Sequence, residues 1–276
     1  MTNMNALPLA LAGLLATSTA ALAQAVDFTE PLHPKEVSFS FEGPLGTYDR
    51  AALQRGFQVY KEVCSACHSL NRVAFHDLGG PTTHEGGTVG IGFSEAQIKA
   101  IAAGYKIPAE PNDKGETTDA NGERLTRPGI PADHFPPPFP NEEAARTANG
   151  GALPPDLSLI VKARAGGPQY VYSILTGFGQ KPPKGFEVPA GKYFNPYFPG
   201  GNISMPPPLT EGSVTYSDGT KATVEQEARD VVTFLSWAAE PKMEERKRVG
   251  LGAMAFMVLL SGLLFLSYRR VWKDAH

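Results

Sequence analysis

Two long apolar runs bracket the chain, and between them hydrophobic positions recur at helical spacing only in short stretches separated by proline- and glycine-rich sequence. The later run, Val249 to Tyr268, has twenty residues and no charge; at ~1.5 Å per helical residue it covers the ~30 Å of a bilayer core. Lys242, Arg246, Lys247 and Arg248 lie before it and Arg269, Arg270 and Lys273 after it, with Tyr268 and Trp272 as interfacial aromatics. These shoulders favour a membrane span over the alternative, a buried core helix. The earlier run, Leu7 to Leu22, closes on small residues and reads as a secretory signal, with Ala21-Leu22-Ala23 and Ala23-Gln24-Ala25 as alternative cleavage sites. No Lys or Arg precedes it, which keeps a retained anchor as the other reading. The expected division is a signal over 1–23, or as far as 25, an exported domain over 24–240, a juxtamembrane segment over 241–248, the span over 249–268 and a cytoplasmic tail over 269–276. Both shoulders are basic, so it is the signal that sets this orientation.

Inside the exported part the periodic stretches predict short helices. Asp49 stands as N-cap before Leu53, Phe57, Tyr60 and Val63, which form one stripe, and Gly56 beside Phe57 invites close approach by another helix. Ser94 and Gln97 form a capping box for a helix through Ile98 and Ile101 that Gly104 stops. Asn141 caps a short helix containing Arg146, Leu153-Pro154-Pro155-Asp156 is expected to open another, and Pro168 begins a third that ends at Gly177. The last soluble helix runs from Thr223 to Glu240, with Val224, Ala228, Val231, Val232 and Leu235 on one face; it is expected to pair with the helix after Asp49, and Pro241 breaks it.

The remainder lacks a period. Residues 26–46 read as an irregular arm, Ile107 to Arg127 as a polar surface loop, and 177–208 as a long ordered loop or set of turns. Phe135 to Pro140 is too proline-dense for helix or central strand and stiff enough to wall a flat ligand. With 25 Lys and Arg against 28 Asp and Glu the formal net charge is −3, and the basic residues of the exported part are not clustered, so no nucleic-acid partner is implied. Glu110, Asp113, Glu116, Asp119 and Glu123 make the 107–127 loop acidic, either as a docking face for a basic partner or as a solvated insertion.

The chain has two cysteines, and both lie in Cys64-Ser65-Ala66-Cys67-His68. Two cysteines three positions apart with a histidine directly after are the attachment signature of haem c: one turn brings both thiols to the same edge, where they add to the two vinyl groups, and His68 becomes the proximal ligand. A redox dithiol or half a zinc site is the alternative, but a zinc site needs a second pair. The sixth ligand is reached by elimination. Met1 and Met4 leave with the signal, Met254 and Met257 face the bilayer, and Met243 sits among charges, which leaves Met205 on the rigid Gly200-to-Pro208 loop. A bis-histidine site using His76, His84 or His134 is the other possibility.

Three longer stretches carry a family likeness: Arg146-Thr147-Ala148-Asn149-Gly150-Gly151-Ala152-Leu153-Pro154-Pro155-Asp156-Leu157-Ser158, Tyr193-Phe194-Asn195-Pro196-Tyr197-Phe198-Pro199-Gly200, and Val232-Thr233-Phe234-Leu235-Ser236-Trp237-Ala238-Ala239-Glu240-Pro241. With the order of signal, C-x-x-C-H, lone methionine and single C-terminal span, the chain resembles the cytochrome c1 family, haem subunits of the cytochrome bc1 (ubiquinol-cytochrome c oxidoreductase) complex, from about Phe39 to Trp272. The resemblance implies a mostly α, class I cytochrome c-like haem domain with enlarged loops plus one C-terminal transmembrane helix. It implies one covalent haem c on Cys64 and Cys67, iron ligation by His68 and Met205, a propionate partner in Arg146, and Pro136 to Pro138 on the histidine side. It further implies electron transfer from a Rieske iron-sulfur protein to cytochrome c, with cytochrome b as membrane neighbour and the haem domain in a bacterial periplasm. With both axial positions filled, the chain would be a redox subunit and carrier with no catalytic residue of its own. The rivals are a free-standing anchored cytochrome shuttle, for which a flexible linker before the anchor is expected, and a haem enzyme with an open iron position.

Overall fold

The computed structural model describes residues 30–80 and 90–274; the signal segment with both cleavage sites, His84 and the last two residues lie outside the described residues. Helix α1 (Arg50–Glu62) starts where the Asp49 carboxylate accepts from the amides of Ala51 and Ala52, and it buries Leu53, Phe57, Val59 and Tyr60. That face meets helix α5 (Val224–Ala239), capped by the Thr223 side chain on the amide of Gln226 and burying Ala228, Val231, Val232, Phe234, Leu235 and Trp237. The two cross at Gly56, where a β-carbon would lie 2.0 Å from the carbonyl oxygen of Asp230. Beside the crossing, Arg55 holds the wholly buried Asp230 through Nε at 2.9 Å and Nη2 at 3.0 Å, and its Nη1 reaches Asp218 at 2.8 Å. Burial of a carboxylate is tolerated here because its charge and both oxygens are matched. The Phe57, Tyr60, Phe135 and Phe234 rings interlock around the crossing, with Trp237 stacked on Phe234.

Shorter elements surround this pair. Helix α2 (Glu95–Ala103) carries the reciprocal Ser94 and Gln97 cap, and strands β1 (Lys106–Pro108) and β2 (Thr126–Pro128) pair antiparallel. The expected polar loop is thus the tip of a hairpin, shaped by side-chain turns at Asn112 and Asp119, and its five acidic residues are all exposed. Helix α3 (Glu142–Ala148) begins on the Asn141 cap. The expected helix after Leu153 is absent: residues 153–156 are irregular and 157–166 form turns and bends. The Asp156 carboxylate accepts from the Ser69 hydroxyl and the Asn71 amide as well as from the Ser158 amide, so this segment is held to residues 69–72 rather than wound into a helix. Helix α4 (Gly167–Leu175) follows, and inside the long 177–208 loop strands β3 (Tyr193–Phe194) and β4 (Asn202–Ile203) pair antiparallel.

Helix α6 (Met243–Val271), with a mean hydropathy of 2.3 over its most apolar window, is the one helix among the described residues long and apolar enough to cross a membrane. Its first turns are bound to the domain. Glu244 accepts from the Tyr48 amide and from Arg50, both at 2.7 Å, and the Lys247 ammonium donates to the carbonyls of Phe41 and Gly46. Only Glu240, Pro241 and Lys242 separate α5 from α6, so the helix after Pro241 continues the domain directly.

Replacing Gly56 with Ala forces α1 and α5 apart at the crossing. The expected outcome is a loss of about 1–3 kcal/mol, as for overpacked cores, read as a thermal midpoint several degrees lower by circular dichroism with helix content retained.

Candidate haem site

Helix α1 hands over at Val63 to a single 3₁₀ turn, Cys64–Ala66. The Cys64 carbonyl accepts from the amides of both Cys67 at 3.1 Å and His68 at 2.9 Å, so the three chemically relevant residues form one rigid local unit. Cys64 is half-buried against the main core and Cys67 is exposed; neither is in a disulfide. Burial, with Cys67 beside it, pushes the Cys64 thiol up to about 12, so it is neutral rather than a metal-seeking thiolate. Among the described residues no three His, Cys, Asp or Glu side chains gather into an ion site, which leaves the zinc reading of these cysteines without further ligands.

His68 is oriented by the chain itself. Its Nδ1 lies 2.8 Å from the Pro155 carbonyl; a carbonyl only accepts, so Nδ1 carries the proton and the Nε2 lone pair is left for a metal. Burial lowers the pKa of this imidazole against the smaller pull of Pro155 and Asp156, and the ring is held in its neutral, ligating form. Pro155 is in turn fixed by a stitched seam between residues 68–72 and 155–158. Leu157 donates to the Ser69 carbonyl at 2.9 Å, the Ser69 hydroxyl and Asn71 amide donate to Asp156 at 2.8 and 2.9 Å, and the Arg72 amide reaches the Ser158 hydroxyl at 3.1 Å. Burial opposes ionisation of Asp156, but the amides and hydroxyls of Asn71, Ser158 and Ser69 outweigh it and hold the carboxyl below its ordinary range. Tyr60 adds a hydroxyl bond to the His68 carbonyl at 3.3 Å.

Met205 stands two residues beyond β4, half-buried on a small apolar cluster of Ile174, Tyr197 and Ile203. The wholly buried Asn195 organises this corner: its Nδ2 donates to the Ile174 carbonyl at 2.8 Å and its Oδ1 accepts from the Tyr197 amide at 3.1 Å. The structure therefore holds Cys64, Cys67 and His68 on one turn, with Cys64 packed on the main core, and places Met205 on a second cluster, with Tyr170 of α4 packed against both clusters. Arg146 is half-buried on α3; its guanidinium reaches the Gly151 carbonyl at 3.4 Å and forms no ion pair among the described residues. Of the alternative axial histidines, His76 has Nδ1 against the Pro131 carbonyl at 3.1 Å and Nε2 against Asp77 at 3.4 Å, and His134 is exposed. The carbonyl of Pro155 and the amide of Asn195 carry roles that the sequence reading did not assign. Both lie inside the family-like stretches, which was the available signal.

These residues fit haem c: two thiols on one turn, an imidazole presenting Nε2, a thioether on a braced loop and a guanidinium without an anionic partner among the described residues. The seam also makes a prediction. Asp156→Asn removes a charged acceptor and is expected to cost about 1–3 kcal/mol at neutral pH. Because the folded pKa is depressed, this stabilisation is full above the unfolded value of about 3.9 and is lost as pH falls through the folded value. Melting curves of parent and variant should therefore differ at pH 7 and converge in acid.

The model described as the Cytochrome C1 family matches residues 39–275. Cytochrome c1 of Rhodospirillum rubrum is 46% identical over 267 residues, covering 91% of this chain and 91% of that protein. The mitochondrial cytochrome c1, heme protein, of Saccharomyces cerevisiae is 47% identical over 236 residues, 86% of this chain and 70% of that one. The protein named cytochrome b/c1 of Bradyrhizobium diazoefficiens is 48% identical over 264 residues; 88% of this chain is matched, and it spans 36% of that longer protein. The chain belongs to the cytochrome c1 family.

Proposed function

We propose that this chain is the haem-bearing redox subunit of a quinol-cytochrome c oxidoreductase, taking single electrons from a Rieske iron-sulfur protein and passing them to a cytochrome c. The observation that carries the reading is the Nδ1 contact of His68 with Pro155, which presents Nε2 in the neutral form while Met205 stands on an independently braced loop. Bound there through Cys64 and Cys67, one haem c supplies a one-electron carrier, and histidine–methionine ligation raises its potential. The chain's part is to hold and shield. His68 and Met205 would hold the iron, and Arg146 would offer its guanidinium to a propionate. Pro136 to Pro138 follow the buried Phe135 on the side assigned to histidine.

Helix α6 is the anchor in the inner membrane, and the domain faces the periplasm once the signal over 1–23, or to 25, is removed, with 269–276 left in the cytoplasm. Cytochrome b is the membrane neighbour. The bonds from Glu244 and Lys247 into the domain favour a fixed subunit over a free shuttle swinging on a linker. Purification in mild detergent tests this: a subunit brings cytochrome b and Rieske protein with it, whereas a shuttle comes alone. The exposed acidic hairpin is the docking face for a basic cytochrome c.

Met205→Leu keeps volume and removes sulfur. Covalent haem should remain, the potential should fall by about a hundred millivolts or more, and the reduced protein should bind carbon monoxide; an unchanged potential would refute the ligand assignment. Converting Glu110, Asp113, Glu116 and Asp119 to their amides should slow cytochrome c reduction at low salt and match the parent at high salt, where the screening length falls below about 8 Å. Quinol oxidation upstream should be unaffected, and equal rates at low salt would return the hairpin to a solvated insertion.

A further inference from the structure

Helix α4 ends without a basic residue of its own in the last turn, although its terminal carbonyls favour a cation there. Lys35, from the irregular arm 141 positions earlier, takes that place: its ammonium donates to the Thr176 carbonyl at 3.0 Å and to the Thr176 hydroxyl at 2.7 Å. The Lys35 amide donates to the Ser173 hydroxyl at 2.7 Å, and three residues earlier the Leu32 amide donates to the Pro196 carbonyl at 2.9 Å. The arm is thus a strap, fixed at one point to the end of α4 and at another to the Asn195-Pro196-Tyr197 turn. The Lys35 ammonium also lies 5.6 Å from the centre of the Tyr197 ring, a cation–π contact that joins the two attachments.

Below the strap there is no slack. A β-carbon on Gly177 would stand 2.7 Å from both the Ser173 carbonyl and Tyr197 Cδ2 and 2.8 Å from Asn195 Oδ1. Tyr197 and Ile174 are two of the buried side chains on which Met205 packs. We propose that Lys35 is a positioning residue for Met205: by fastening the end of α4 to Tyr197, it fixes the surface that holds the thioether at the iron. The proposal rests on the reading of Met205 as the sixth ligand. Helix α4 is itself secured to the main core through Val171 and Tyr172, so removing Lys35 loosens the small methionine cluster before it loosens the fold.

The test uses the full-length chain with its haem in detergent, as parent, Lys35→Leu, Lys35→Arg and Met205→Leu. Two signals are followed with temperature: the long-wavelength charge-transfer absorption of sulfur-ligated ferric haem, and far-ultraviolet circular dichroism for the overall fold. Lys35→Leu should show about a tenfold or greater rise in the fraction lacking the sulfur band at a given temperature, because both hydrogen bonds of the ammonium are lost. Its main unfolding transition should stay near that of the parent, and Lys35→Arg, which keeps charge and donors, should restore the band. Lys35→Gln gives the same comparison at smaller amplitude if Lys35→Leu does not assemble. A sulfur band present in the parent and equally persistent in the Lys35 variants overturns the positioning role alone, as does band loss that merely tracks unfolding. A parent lacking the band, like Met205→Leu, overturns the methionine assignment and the proposal with it.

Discussion

The crossing of α1 and α5 at Gly56 is the contact on which the other parts depend, because each helix leads directly to one of the molecule's two ends. Helix α1 runs into the Cys64–His68 turn, and α5 runs within three residues into the membrane helix. With the Asp230 carbonyl where a Gly56 side chain would be, neither helix can slide or roll without breaking the Arg55–Asp230 pair. Close packing of this kind transmits position rather than absorbing it. The Cys64–His68 turn and the apolar helix are consequently held in one frame.

Loops supply most of the remaining groups, and buried polar bonds make them rigid. Asp156 joins residues 69 and 71 to its own turn, and Asn195 joins α4 to the methionine loop. Glu227, wholly buried on α5, does the same for the segment before it, accepting from the Ser213 hydroxyl at 2.6 Å and the Val214 amide at 3.3 Å. Each of these side chains would be costly to bury without partners, and each finds them in backbone groups and hydroxyls of neighbouring segments. That reciprocity explains how so much irregular sequence stays ordered around a flat ligand.

The exposed features divide differently. The acidic hairpin projects its charges into solvent, where they add little to stability. The anchor helix presents apolar side chains all round, as a lipid-facing helix must, while its first turn, with Glu244 and Lys247, turns back to the domain. One continuous helix thus changes character partway along, and the change falls where Val249 begins the uncharged run.

Much of the local chemistry is legible in the sequence. The caps at Asp49, Ser94 and Asn141 form as the sequence indicates, and the helix expected from Thr223 starts on that side chain, because an N-cap depends on residues within one turn of itself. The apolar run, the glycine at the crossing and the C-x-x-C-H motif are legible for the same reason: their signal lies in adjacent residues. What only the tertiary structure decided are the contacts between remote segments. The turn at Leu153–Asp156 reads as a helix start from its prolines and aspartate, yet the Pro155 carbonyl faces His68, 87 positions away, and Asp156 closes a turn. The polar stretch after Ile107 becomes a hairpin because β1 finds β2 across it. Lys35 gives no local hint of its place at the end of α4, since a backbone carbonyl and an aromatic face leave no pattern in the partner's sequence. Side-chain periodicity reports on neighbours along the chain; which backbone group a distant side chain meets is set only when the core brings them together.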